Sequence, residues 1–211
     1  MFNKIMNTVG FLTKKTENEN RRSFAVILIF SAAALFASFM LTIDEFYLLQ
    51  HPNETLNCSI NLVLNCSTVM QTWQAAIFGF PNMVLGLIAY TSLLTIAVIA
   101  LLGIKLPKIF MVAVNFGAFV GIVFSEWLTY QSIYVIEVLC PYCLIVLFST
   151  LLIFAAITHY NLRNNSFEFR LTINNKIQSF LDKEYDKVLV AVWIAALIGL
   201  IISHFGSSLF A

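Results

Sequence analysis

An all-α integral membrane protein with five transmembrane helices is the fold class this sequence predicts, and three observations predict it. Of 211 residues, 60% are hydrophobic and only 11% charged, more apolar surface than a soluble core of this length can hide. The apolar residues gather in blocks of about 20, the length that crosses a hydrocarbon layer of about 30 Å. The twelve Lys and Arg residues are confined to alternate connecting segments. The net charge of +1 says nothing about partners.

The first span covers residues 24–43, with no charge between Arg22 and Asp44. Its "SAAALFAS" resembles a signal peptide, but the apolar stretch is longer than a usual signal core and no cleavage site follows it. It reads as an uncleaved anchor. The other spans cover about 83–104, 109–130, 138–158 and 188–205. The segments 1–22, 23–160, 161–187 and 188–211 form an N-terminal segment, a four-span unit, a connector and a fifth helix. Within the third span, "GAFVG" (117–121) is a G-x-x-x-G pattern that predicts close helix packing. Asn115, one turn before it, predicts an interhelical hydrogen bond. Lys4, Lys14, Lys15, Arg21 and Arg22 precede the first span, and Lys105 and Lys108 lie between the second and third. Arg163, Arg170, Lys176, Lys183 and Lys187 lie between the fourth and fifth. The alternate segments carry no basic residue, so the N-terminus is expected in the cytoplasm and the C-terminus outside the cell membrane.

That topology puts all four cysteines at the extracytoplasmic face, where disulfides persist. Cys58 and Cys66 lie in the loop 44–82, and Cys140 and Cys143 in "LCPYCL" at the outer end of the fourth span. Proline is tolerated at the first helical position, where its missing N–H would be unpaired anyway. Cys140 is therefore expected at the N-cap and Cys143 one turn further in. Unpaired N–H groups and the helix dipole stabilise a thiolate there. Two inert packing cysteines are the bland alternative.

A loop of roughly 39 residues is unusual without a function, and lipid excludes irregular backbone, so it should cover the outer mouth of the bundle. Its "TVMQTWQAAIFGF" (68–80) places Val69, Trp73, Ala76, Ile77 and Phe80 at helical spacing and predicts a short amphipathic interfacial helix. Cys58 and Cys66 are read as a redox pair or as a static staple of this loop. A zinc site is disfavoured because one pair is separated by seven residues rather than forming a tight knuckle; no metal ligands are assigned.

Together the C-x7-C loop pair, "FGFPNMVLGLIAY" entering the second span and "CPYC" entering the fourth resemble the vitamin K epoxide reductase family, most closely its bacterial thiol-oxidase members. The resemblance runs over about 24–158. It implies a four-helix bundle around a quinone (ubiquinone or menaquinone), capped by the loop cysteines. It implies that Cys140 and Cys143 are the redox centre, with Cys143 nearest the quinone, and that Cys58 and Cys66 shuttle electrons from a thioredoxin-fold dithiol protein. Asn82 matches an asparagine that hydrogen-bonds a quinone carbonyl, and Thr72 stands where the family usually has serine. Trp73, Phe78 and Phe80 are candidate walls of the quinone pocket. The vertebrate enzymes carry a tyrosine four residues after the second cysteine of C-x-x-C; Leu147 stands here, which favours quinone over epoxide reduction. The chain ends just after its fifth span, so the thioredoxin-fold partner is expected to be a separate protein.

The implied function is a membrane thiol:quinone oxidoreductase that reoxidises an extracytoplasmic disulfide catalyst. The alternatives are a quinone or vitamin K epoxide reductase, and a non-catalytic membrane protein with structural disulfides. Asn82 also reads as a helix cap. Glu126 and Glu137 read as interfacial and solvated, with a proton relay as the sharper alternative. His51, His159 and His204 form no ligand pattern.

Overall fold

The computed structural model describes the backbone of residues 2–51, 56, 58–59 and 63–209, and the side chains of residues 15–51, 56, 58–59 and 63–206. The first helix, α1 (Phe2–Gln50), runs unbroken far beyond the expected span. No Gly or Pro occurs from residue 11 to 50, and Pro52 disfavours helix in the residue before it. Ile27, Ser31, Ala34, Ser38 and Leu41 repeat at steps of four and three, and all are buried. Such a seam of small and branched residues lets helices approach closely where lipid supplies no hydrophobic drive. It packs against α3 (Met83–Leu101) and α5 (Pro141–Arg163). The other wall of the bundle is α4 (Lys108–Gln131), which packs along α5.

All five expected spans are helices long and apolar enough to cross a membrane, and the protein is a multi-pass membrane protein. Phe36, Phe39, Ile88, Phe116 and Val123 point outward, as a lipid-facing surface requires. In the middle, Phe24, Ile27, Ala34, Tyr90, Met111, Ala118, Ile153 and Ile157 form the core. Asn115 Nδ2 donates to Thr158 Oγ1 at 2.9 Å, the expected interhelical bond.

The glycine pattern behaves otherwise. A Cβ on Gly117 would meet nothing within 4 Å, and one on Gly121 would make ordinary contact with Thr150. The close approach is elsewhere, at Gly86, where a Cβ would overlap Ser38 Oγ of α1. Gly117 and Gly121 instead line a gap between α3 and α4, which barely touch each other.

The connector folds as α6 (Leu171–Asp182) and lies against α5 and α7 (Tyr185–Leu209). α7 packs on the outside of the bundle. Its Leu197 joins Ile122, Leu147 and Leu151, while Ile201 and Phe205 join Ile133 and Leu139.

The helix expected over 68–80 forms in two pieces, α2 (Cys66–Met70) and a 3-10 turn at Trp73–Ala76. The break lies at Thr72, which has extended backbone at φ −85° and ψ 152°. It changes the helical phase, so Trp73 turns outward at 67% exposure while Gln74 turns inward at 4%.

Candidate active site at the cysteine end of the bundle

Three local structures bring the cysteines together. Asn65 caps α2 by accepting from the Thr68 N–H at 3.1 Å, which starts that helix at Cys66. Cys140 is the N-cap of α5, with Pro141 in the first turn, and its Sγ accepts from the Cys143 N–H at 3.4 Å. The turn that delivers Cys140 follows α4. Residues Ser132–Ile136 form one wide π turn, and Glu137 closes it in the left-handed region at φ 58°. The chain then runs extended beside the cysteine loop. Leu139 N–H donates to Val63 O at 2.7 Å and Asn65 N–H to Leu139 O at 2.9 Å, a parallel bridge between Leu64 and Leu139.

Cys58 and Cys66 are joined as a disulfide. Ser59 Oγ donates to Asn65 Oδ1 at 2.9 Å and the Leu56 N–H to Ser67 Oγ at 3.2 Å, which ties the two arms of the loop to each other. Cys66 Sγ lies 3.5 Å from Cys140 Sγ. That is near-attack separation for a sulfur-to-sulfur transfer. Cys66 is 0% and Cys140 1% exposed, whereas Cys143 is the accessible thiol. Met70, Leu41, Leu48, Leu56 and Tyr142 pack around this cluster.

Beneath the cysteines is a cavity of about 210 Å³ between α1, α3, α4 and α5. Cys140 and Cys143 form part of its wall, together with Asn82, Gln74, Phe124 and Tyr90. Tyr90 hydroxyl and Thr150 Oγ1 are hydrogen-bonded at 2.7 Å. The gap between α3 and α4 is lined in part by the same residues, Ala89, Tyr90 and Gly121.

Asn82 sits at the start of α3 and makes no side-chain cap bond. Its Nδ2 donates to Gln74 O at 2.6 Å, while Oδ1 is buried with no partner among the described residues. An apolar cavity holding one unpaired amide oxygen, an amide N–H and an accessible thiol suits a flat lipid-soluble ring with oxygen substituents. A quinone fits the residues present.

The other expected wall residues stand outside the cavity. Thr72 Oγ1 donates to Val69 O at 2.7 Å, held by the break in the loop helix. Trp73 packs on Trp127 at 6.2 Å and is turned outward by that same break. Phe78, 57% exposed, reaches the cavity only through Phe124, its ring 5.8 Å away. Leu147 packs toward α7 rather than into the cavity. Gln74, Tyr90 and Phe124 line the cavity without having been singled out from the sequence; the signal for Gln74 is a lone amide in "TWQAAIF", and it turns inward because of the break at Thr72. Glu137 is the exposed end of the turn, and Glu126 Oε1 accepts from Trp193 Nε1 at 2.9 Å, binding α7 to α4.

Comparison with known proteins agrees with this arrangement. The profile of the vitamin K epoxide reductase family matches residues 25–158. No curated protein sequence matches the chain.

Proposed function

Because this chain belongs to the vitamin K epoxide reductase family of membrane thiol and quinone oxidoreductases, we propose that it is a thiol oxidase that reoxidises an extracytoplasmic thioredoxin-fold dithiol protein. The observation that carries this reading is the 3.5 Å approach of Cys66 Sγ to Cys140 Sγ, with the accessible Cys143 one turn further on in the cavity wall.

A partner thiolate attacks Cys58 Sγ and releases Cys66 as a thiolate. Cys66 attacks Cys140 Sγ in a Cys140–Cys143 disulfide, and Cys143 leaves. The partner's second thiolate attacks the partner sulfur bonded to Cys58 and releases Cys58, and Cys58 attacks Cys66 in the Cys66–Cys140 disulfide. Cys140 leaves, the Cys58–Cys66 bond is restored, and the Cys140/Cys143 dithiol is left holding two electrons. A bound quinone supplies the sink for two electrons and two protons. Asn82 and Gln74 orient the ring, and Met70, Leu41 and Leu139 keep water away from the sulfurs. The confinement of Lys and Arg to the other connecting segments supports an extracytoplasmic position for this end of the molecule, a setting in which the Cys58–Cys66 bond would persist.

Trapping tests the reading. In a Cys66→Ala variant, Cys58 is expected to hold a mixed disulfide with an exported thioredoxin-fold protein, identifiable by mass spectrometry. In a Cys143→Ala variant the same partner should accumulate reduced. A Cys66→Ala protein with no covalent partner, in cells whose exported disulfides form normally, overturns it.

A further inference from the structure

Thiol–disulfide exchange moves protons as well as sulfur bonds, and the relay names no group that carries them. Asp44, near the end of α1, places Oδ2 3.5 Å from Cys58 Sγ. Cys58 is 7% exposed, so bulk water reaches it poorly. In the Cys58–Cys66 disulfide this sulfur carries no hydrogen; a hydrogen bond then requires the carboxyl group to donate. After reduction the direction reverses, and the Cys58 S–H donates to the carboxylate.

We propose that Asp44 is the general acid and base for Cys58, holding the proton while Cys58 is in a disulfide and returning it when Cys58 is released. This rests on the thiol-oxidase reading. When the second partner thiolate closes the partner's own S–S bond, the bond between partner and Cys58 breaks. The electron pair stays on Cys58 Sγ, which takes the Asp44 proton. The other pair already resides on Cys66 Sγ, released one step earlier. Cys66 attacks Cys140, and the Cys140–Cys143 bond breaks. Cys58 then attacks Cys66 and returns its proton to Asp44, and Cys140 leaves with the electron pair. The loop disulfide and the protonated Asp44 are restored, and the two electrons rest on Cys140 and Cys143.

Among the described residues, the titratable side chains that pack in this cluster or line the cavity beneath it are the four cysteines, Tyr142 and Tyr90. Glu45 follows on α1 and His51 lies just past its end. Segment 44–82 contains no Lys or Arg to fix Asp44 as an ion pair.

The test uses the purified full chain, dithiothreitol as reductant and a soluble quinone as acceptor. Asp44→Asn, which keeps the size and a hydrogen-bond donor, is expected to be about 100-fold slower at neutral pH. Its rate should climb as pH approaches the ordinary thiol value of about 8.5, where solvent deprotonates Cys58 unaided. Glu45→Gln should follow the wild-type profile. A second measurement needs no variant: infrared difference spectra of the wild-type protein should show a protonated carboxyl band that disappears on reduction of Cys58–Cys66. Parallel pH profiles for wild type and Asp44→Asn, or no such band, overturn the proposal and leave the relay standing. A wild-type protein unable to pass electrons from dithiothreitol to quinone sinks both.

Discussion

The side-chain amide of Asn82 is only partly used, and that determines what it recognises. One Nδ2 hydrogen is spent on Gln74 O. Oδ1 is buried without a partner among the described residues, and Asn82 forms part of the cavity wall. The carbonyl of an oxidised ring can accept from the amide N–H, a bond worth about 0.5–1.5 kcal/mol, and only the hydroxyl of a reduced ring can donate to Oδ1. Asn82→Ala is therefore expected to raise the KM for quinone by roughly 2–10-fold, the equivalent of that range. Steady-state rates against quinone concentration check it; an unchanged KM means the amide only supports the Gln74 turn. At this scale the cysteines were legible in the sequence because chemistry and spacing coincide: Pro141 starts a helix and fixes Cys140 at its cap. Thr72, Trp73 and Phe78 were not. Their orientation depends on the extended backbone at Thr72, and a one-residue break in a helical pattern leaves no compositional trace.

At the scale of elements, the long apolar blocks announced the spans well; the structure lengthens four of them and ends the second, α3, at Leu101, short of the expected 104. What they left open was how α7 attaches, because a transmembrane helix is apolar on every side and its pattern does not name a neighbour. The contact turns out to be specific. Ile201 and Phe205, 8% and 4% exposed, pack with Ile133, Leu139, Val63 and Leu64. Those last three residues form the strap that holds Cys66 against Cys140. Phe205→Ala removes a buried ring, a change that typically costs about 3–5 kcal/mol. We expect slower transfer from Cys66 to Cys140 in single-turnover quench experiments, with the reaction of Cys58 with dithiothreitol unaffected. Equal transfer rates would make α7 an anchor and not a brace.

The opposite end is held by charge. Lys15 Nζ and Arg163 Nη1 lie 2.9 and 3.0 Å from Asp182 Oδ1, and Glu19 approaches Arg163 Nε at 2.6 Å. The Lys15 hydrogen bond, helped by Arg163, holds the Asp182 carboxyl below its ordinary value. A depressed carboxylate stabilises the fold above its unfolded pKa of about 3.9 and loses that effect as pH falls through the folded value. Hydrogen exchange in α6 should therefore accelerate below about pH 4, and Asp182→Asn should show the same loosening already at neutral pH. Protection of α6 independent of both would assign its docking to Leu181 and its apolar neighbours.

At the scale of the whole molecule, the bundle divides its chemistry between two ends. Lys108 Nζ donates to Asn165 O, and Lys15 and Arg163 meet at Asp182, so basic side chains from the N-terminal segment and two connections gather at one end. The four sulfurs gather at the other, about one membrane thickness away along α5, whose 23 residues separate Cys140 from Asn164. Lys and Arg resist crossing the bilayer and are retained on the cytoplasmic side during insertion, while a stable loop disulfide needs an oxidising compartment. Both arguments predict the same orientation, although they rest on different residues and different physics. The test is labelling of single added cysteines in a background lacking the native four. Glu137→Cys, in the exposed turn before Cys140, should react with a membrane-impermeant maleimide in intact cells. Lys176→Cys, on the exposed face of α6, should react only after the membrane is opened. The reverse pattern would place the sulfurs in a reducing compartment, where the Cys58–Cys66 disulfide would be kept open and a thiol oxidase would have no exported substrate.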